Sequence, residues 1–291
     1  MKILLSGANG LLGSAIQQVA VQLGHTCIAF IRDSLNWKNY LCNFDQFLGA
    51  DVVIHAAANT DVEQCEQFPA ICYSDNTLFS EYMVRMTARA GKKFIFISST
   101  GIYGSHKTTP YSEFDPVEPS THYHRSKFLA EQSILRLCPE SLIIRTGWLF
   151  GGGSDLPKNF VARRIEEARR SASGSIFSDQ EQYGTPCYNI DVAARIIELL
   201  ERDMCGIFNS VNSGSASRFE YVRSILDYAE LPTVVLPTSN ESFKRFAKVS
   251  NNEAAVNWKA EMMGFAAMPA WQTSLKNYIK THTQLTGAAQ L

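Results

Sequence analysis

Residues 121 to 132 read "THYHRSKFLAEQ" and gather four groups able to move a proton near neutral pH: His122, Tyr123, His124 and Lys127. If the stretch is a helix, Tyr123 and Lys127 stand four apart and share a face, while the two histidines are turned by about 100° to either side. A phenol titrates at about 10 and is a poor acid-base group at neutral pH by itself, but a cation held beside it lowers that value. The spacing therefore suits a tyrosine that hands a proton to a carbonyl oxygen, with Lys127 as the cation. It also suits two amphipathic side chains on a solvated helix. His122, at the helix entrance, could touch a substrate or cap the helix, and His124 is the weaker candidate.

Proton transfer of this kind needs a partner reagent, and the N-terminus offers a place for one. Gly7, Gly10 and Gly13 directly follow the apolar run "KILLS" and open the segment "SAIQQVAVQLG". Between a strand and a helix, glycines permit a tight turn and let backbone amides approach a pyrophosphate. Gly7, Asn9, Gly10, Leu11, Leu12 and Gly13 are accordingly candidates for holding a dinucleotide. The end of the second strand normally carries an acid for the ribose of NAD or a base for the extra phosphate of NADP. Ile31 is that tip; Arg32, which follows it, favours NADPH, whereas Asp33, twenty residues after Gly13, is the alternative ribose ligand and would suit NADH. Beyond the carboxyl end of the run "KFIFISS" fall Ser98, Ser99 and Thr100, where a hydroxyl could reach the same substrate oxygen as the tyrosine.

The elements that must position these groups alternate along the chain. Runs at 2–6, 26–31, 51–58, 93–99 and 141–147 are apolar throughout rather than alternating, as parallel strands covered by helices on both faces require. The expected fold class is α/β, a Rossmann-type doubly wound parallel sheet with a smaller C-terminal substrate-binding lobe. The expected division is a dinucleotide-binding domain over 1–150, joined by a segment returning near 190–212, and a mainly substrate-binding lobe over 151–291. The chain has 291 residues, 45% of them hydrophobic, enough for a substantial core. Its 27 basic and 28 acidic residues leave a net charge of -1, without the basic excess that nucleic-acid binding needs. Seven scattered cysteines with no CxxC pair point to reduced thiols in a cytoplasmic protein, with no metal site. The short apolar start before the glycines argues against a signal peptide, and the absence of a long apolar run argues against a membrane partner.

Glycine loop, hydroxyl-bearing strand end and YxxxK, in that order, resemble the extended branch of the short-chain dehydrogenase/reductase superfamily. The resemblance implies that Tyr123 is the general acid, that Lys127 lowers its pKa and binds the cofactor ribose, and that Ser99 is the catalytic hydroxyl. Ser99 matches because it stands four residues before Tyr103 of "IYG"; Thr100 is the alternative and a candidate substrate contact. Asn76 matches the superfamily's helix asparagine, and Ala56, Ala57 and Ala58 of "HAAANT" match the stretch that passes under the cofactor. "NTDVEQCEQFPAICYSDNT", "IIRTGWLFGGG" and "DQEQYGTPCYNIDVAARIIELL" are similar to the corresponding stretches of dTDP-4-dehydrorhamnose reductases. That family implies a sugar-nucleotide substrate and a place in cell-surface polysaccharide biosynthesis. It also implies a substrate-contacting role for Trp148, and a homodimer is compatible with it.

Departures from the family choose among reactions. A 4,6-dehydratase of the superfamily needs an Asp/Glu pair just after the catalytic hydroxyl, because elimination demands its own base and acid. Thr100 and Gly101 hold those places. An epimerase-reductase of the GDP-fucose synthase type needs an acid at the Gly101 position, where glycine has no side chain. Reduction of a 4-keto-6-deoxy sugar nucleotide remains, with an NAD-retaining 4-epimerase and a non-catalytic regulatory subunit as alternatives. The family's Arg-Pro element survives only as "FKRFAKVSNNEA".

Overall fold

The computed structural model describes residues 1–30, 41, 43–154, 156, 158–242 and 245–282. Its first half alternates strand and helix: β1 (Lys2–Ser6), α1 (Leu11–Gln22), β2 (Thr26–Phe30), α2 (Phe44–Leu48), β3 (Val52–His55), α3 (Val62–Gln67), α4 (Pro69–Tyr73), α5 (Phe79–Arg89), β4 (Lys93–Ser99), α6 (His122–Leu137) and β5 (Leu142–Thr146). The second half is more irregular: β6 (Trp148–Phe150), α7 (Phe160–Arg170), β7 (Ser175–Asp179), β8 (Tyr183–Gly184), β9 (Pro186–Tyr188), α8 (Asn189–Glu201), β10 (Gly206–Asn209), β11 (Ala216–Ser217), α9 (Arg218–Tyr228), β12 (Val234–Thr238), α10 (Trp258–Met262) and α11 (Trp271–Thr281).

Six strands form one sheet in the order β10-β5-β4-β3-β1-β2, every neighbouring pair parallel. Successive side chains of β1 explain why both faces are covered. Ile3 and Leu5 join a core with α1 and α8, while Leu4 points the other way into a core with α5 and α6. Chain order reverses between β1 and β3, so their carboxyl ends open a crevice of the kind in which α/β sheets bind ligands. β10 comes from far along the chain to pair with β5 at the sheet edge, and α8 before it packs against α1.

Beyond β5, the elements β6, α7, β7, β11, α9, β12 and α11 build a separate core around Phe150, Ile165, Tyr221, Ile225, Trp271 and Tyr278. Three two-stranded sheets, β6 with β9, β7 with β12 and β8 with β11, hold this part together. A capping box at Ser217 and Glu220 starts α9. Among the described residues no helix is long and apolar enough to cross a membrane.

Helix α6 carries the stretch with which the sequence reading began. Thr121 caps it by accepting the His124 backbone N–H. His124, Lys127, Ala130, Glu131 and Ile134 recur at helical spacing on its buried side. A buried ion pair locks this helix to the sheet: Arg145 on β5 donates to Glu131 at 3.1 and 2.7 Å. Arg145 also donates to the Tyr103 hydroxyl at 3.0 Å, and Tyr103 donates onward to Asn209 Oδ1 at 2.8 Å. One guanidinium thus joins α6, β5, the turn after β4 and the edge strand β10.

Candidate active site

Gly7 and Gly13 are required where they stand. Gly7 has φ of +74°, and a Cβ on it would lie 2.7 Å from the Ala57 nitrogen. A Cβ on Gly13 would overlap the Gly7 carbonyl. The β1–α1 turn therefore lies directly against the end of β3. The unpaired amides of the first turn of α1 face a cleft of about 870 Å³. Gly7, Asn9, Gly10, Leu11, Leu12, Gly13, Ala56, Ala57 and Ala58 all line it. A backbone cradle with no room for side chains, at a helix N-terminus and a sheet switch point, fits a dinucleotide. Arg32 and Asp33, the expected discriminators between NADPH and NADH, lie outside the described residues.

Ser98, Ser99, Tyr123 and Lys127 line the same cleft. β4 delivers the serines at its carboxyl end. Ser99 Oγ accepts the Gly101 N–H at 3.2 Å, which leaves its own hydrogen for another acceptor. The Tyr–Lys pair differs from expectation. No hydrogen bond joins them, and Lys127 Nζ lies over the Phe96 ring, 4.0 Å from its centroid. Burial pushes the Lys127 amine down to about 7, against the pull of Glu131 and Cys72. Tyr123 keeps part of its surface on the cleft, yet desolvation holds its phenol above the ordinary range, with Cys65, Glu253 and Cys72 adding to the effect. Lys127 is thus not among the groups that shift the phenol here, and its ammonium faces an aromatic ring.

Asn76 is buried in a π-helical turn, Ser74–Leu78, between α4 and α5. Its side chain accepts the Asn59 N–H at 2.8 Å and donates to the Asn59 carbonyl and to Ser126 Oγ, both at 3.0 Å. It thereby ties the loop after β3 to α6 one turn beyond Tyr123. A π-turn at such a place is a recurrent mark of functional sites.

The three residues expected at the substrate do not line this cleft. Thr100 is buried, with its hydroxyl lacking a hydrogen-bond partner. His122 does not cap the helix, since Thr121 does; its backbone donates to Glu66 and its ring pairs with the Tyr73 hydroxyl at 3.1 Å. Trp148 is packed rather than presented to the cleft. Its indole N–H donates to Glu253 at 2.7 Å, Arg218 lies over one ring at 3.4 Å, and Gly184 leaves no room for a Cβ beside it.

The sequence reading missed several cleft residues. Thr146 ends β5, Gly147 follows it and Leu149 lies on β6; Asp61 caps α3 and Asp75 sits in the π-helical turn; Lys158 and Arg163 reach in from around the start of α7. The position of Thr146 and Gly147 at a strand's carboxyl end was a usable signal, by the same rule that selected Ser99. Lys158 and Arg163 lay in an unpatterned loop and on a charged helix, where no local signal marks them. Among the described residues no cluster of three His, Cys, Asp or Glu side chains gathers as a metal site would.

An all-parallel sheet with a glycine cradle at its switch point and a Tyr, Lys and Ser on one wall of the cleft defines a dinucleotide-binding α/β protein of the extended short-chain dehydrogenase/reductase kind. More narrowly, residues 1–284 match the RmlD substrate binding domain family, and the chain belongs to that family. It is 31% identical over 245 residues to the spore coat polysaccharide biosynthesis protein SpsK of Bacillus subtilis, spanning 83% of this chain and 84% of that one. It is 29% identical over 280 residues to a dTDP-4-dehydrorhamnose reductase of Mycobacterium tuberculosis, spanning 94% and 91%. Its fold is similar to the crystal structure of a Bacillus anthracis dTDP-4-dehydrorhamnose reductase in complex with NADP. There the TM-score is 0.89 at 26% identity, over 96% of this chain and 99% of that one.

Proposed function

We propose that this chain reduces the 4-keto group of a 4-keto-6-deoxy sugar nucleotide, dTDP-linked, with Tyr123 as the general acid. At the coarser level it is an NADP-dependent oxidoreductase, in keeping with relatives named dTDP-4-dehydrorhamnose reductase and one solved with NADP. The observation that carries the finer reading is the meeting of Ser99, Tyr123, Lys127 and the glycine cradle on one cleft.

When bound, the cofactor supplies a hydride to the carbonyl carbon. The protein's task is the oxygen, on which negative charge develops. Tyr123 gives its phenolic proton to that oxygen. Ser99, with its Oγ already accepting from Gly101, directs its own hydrogen at the same atom and stabilises the charge as it appears. The raised phenol keeps Tyr123 protonated at working pH, which suits a proton donor in the reducing direction. The glycine cradle would hold the pyrophosphate and Lys127 the ribose, while Lys158 and Arg163, cations lining the same cleft, would face the nucleotide's phosphates. Neither Thr100 nor Gly101 brings a carboxylate, which leaves dehydration without its acid and base.

The test is NADPH oxidation with dTDP-4-dehydro-6-deoxy sugars. Tyr123→Phe is expected to lower kcat by about 10²–10⁴-fold with KM for NADPH little changed, as loss of a general acid does. Turnover equal to wild type would remove Tyr123 from the role. Retention of NAD through dialysis, with interconversion of 4-epimers, would favour a 4-epimerase instead.

A further inference from the structure

A histidine that the reaction scheme does not use lies buried at the end of β3. The His55 ring is walled by Phe79, Phe94 and Phe96, with centroids 5.2, 6.2 and 5.7 Å away, and Phe96 is the ring that faces Lys127. Its polar contacts fix its tautomer. Ser80 Oγ has a single hydrogen and gives it to the Asn76 backbone carbonyl at 2.5 Å, so in the 3.0 Å contact between Ser80 and His55 Nε2 the ring donates. In the neutral imidazole Nδ1 is then the acceptor, and Ser6 Oγ donates to it at 2.6 Å. The same Ser6 oxygen accepts the Ala57 N–H at 3.3 Å.

These bonds run in one direction and join three parts of the site. Ser6 immediately precedes Gly7 of the glycine cradle, and Ala57 is the residue against which Gly7 is closed. At the other end, Asn76 in the π-helical turn donates from its side chain to Ser126 Oγ at 3.0 Å, and Ser126 Oγ donates to the Tyr123 backbone carbonyl at 2.7 Å. Ser6, His55, Ser80, Asn76 and Ser126 are all buried, so a member that loses its partner there must shift to find another. We propose that His55 is a positioning residue for the reduction, a joint that sets the cofactor cradle and Tyr123 at a fixed spacing; the role rests on the reading of Tyr123 as the acid. The two ring nitrogens have separate tasks. Nδ1 orients Ser6 and with it the cradle, and Nε2 orients Ser80 and with it Asn76, Ser126 and Tyr123.

Substitution separates the two tasks. His55→Asn places an amide oxygen near the Nδ1 position and keeps an acceptor for Ser6, while withdrawing the donor from Ser80. His55→Gln places an amide nitrogen near the Nε2 position and keeps that donor, while withdrawing the acceptor from Ser6. His55→Asn is expected to lower kcat about tenfold, as displacement of a catalytic group does, with the Kd for NADPH within about twofold of wild type. His55→Gln is expected to weaken NADPH binding about three- to tenfold, read by fluorescence titration without substrate, and to keep kcat at saturating NADPH within about threefold. Ser80→Ala and Ser6→Ala leave the ring in place. They are expected to repeat the kcat effect and the Kd effect respectively, and they decide the question if a His55 variant does not fold. A role confined to holding the fold would lower stability and the folded fraction while leaving both constants of the folded enzyme unchanged. That result overturns the inference, and so does a kcat and Kd that move together in all four variants. Tyr123→Phe assayed alongside separates the two readings. If it is inactive while the His55 and serine variants show no split, only this inference fails; if it turns over normally, the assignment of the acid fails and takes the Asn76 arm with it.

Discussion

The Lys127 ammonium has left water without gaining a carboxylate of its own, since Glu131 one turn along is taken by Arg145. The Phe96 face offers partial compensation, of about 0.5–2 kcal/mol. A lysine held down to about 7 in the folded state is protonated more readily when unfolded. The penalty is thus fully present below about pH 7 and is relieved as pH rises toward the ordinary lysine range, because the unfolded chain binds the extra proton across that window. Lys127→Met is therefore expected to stabilise the cofactor-free protein by about 1–4 kcal/mol at neutral pH while abolishing turnover. Denaturant unfolding of both proteins at a series of pH values checks this. The difference should shrink as pH rises above about 7, and a constant difference would place its origin in packing alone. Tyr123 and Lys127 were legible in the sequence because an i,i+4 pair needs only a helix. Where the Lys127 head group points was not legible, since Phe96, whose ring it faces, lies on another element.

Helix α6 and the turn after β4 keep their relative position through the Arg145, Glu131, Tyr103 and Asn209 network, every member of which is buried. Burial tends to strip Arg145 of its proton, but Glu131 more than compensates and holds the guanidinium above its usual range. Removing one partner leaves a buried charge unpaired. Glu131→Gln is accordingly expected to destabilise the protein by about 3–5 kcal/mol, read as a lower denaturant midpoint. Replacing the pair together, Glu131→Leu with Arg145→Met, is expected to recover most of that loss. A single variant as stable as wild type would show the pair to be dispensable. The element boundaries here were well signalled, with the sequence stretch "HYHRSKFLAEQSILRL" coinciding with α6. Thr121 as its cap displaced His122 from that role, because a short hydroxyl side chain reaches the N-terminal amides directly.

At the scale of the molecule, the cleft opens where the β1 and β3 ends diverge, and the cofactor binds the folded state alone. NADPH at about 100 times its Kd is expected to stabilise the protein by about 2.7 kcal/mol. Gly13→Ala, whose new Cβ would overlap the Gly7 carbonyl, is expected to lose most of that increment and to lower intrinsic stability by about 1–3 kcal/mol. Thermal unfolding with and without NADPH measures both effects, and an undiminished increment would show that the turn can relax without loss of the cradle. What the sequence determined by itself about this protein was local in origin: apolar runs that must be covered strands, glycines between a strand and a helix, and a tyrosine and lysine one helical turn apart. Each follows from backbone geometry within a few residues. The tertiary structure alone decided that β10 completes the sheet, that Lys158 and Arg163 reach the cleft, and that Trp148 turns to Glu253 instead of the cleft. It also decided that His124 occupies the space beside Gly101. These contacts join residues far apart in the chain, where burial and the need to pair each buried polar group choose the partner and no periodicity announces it.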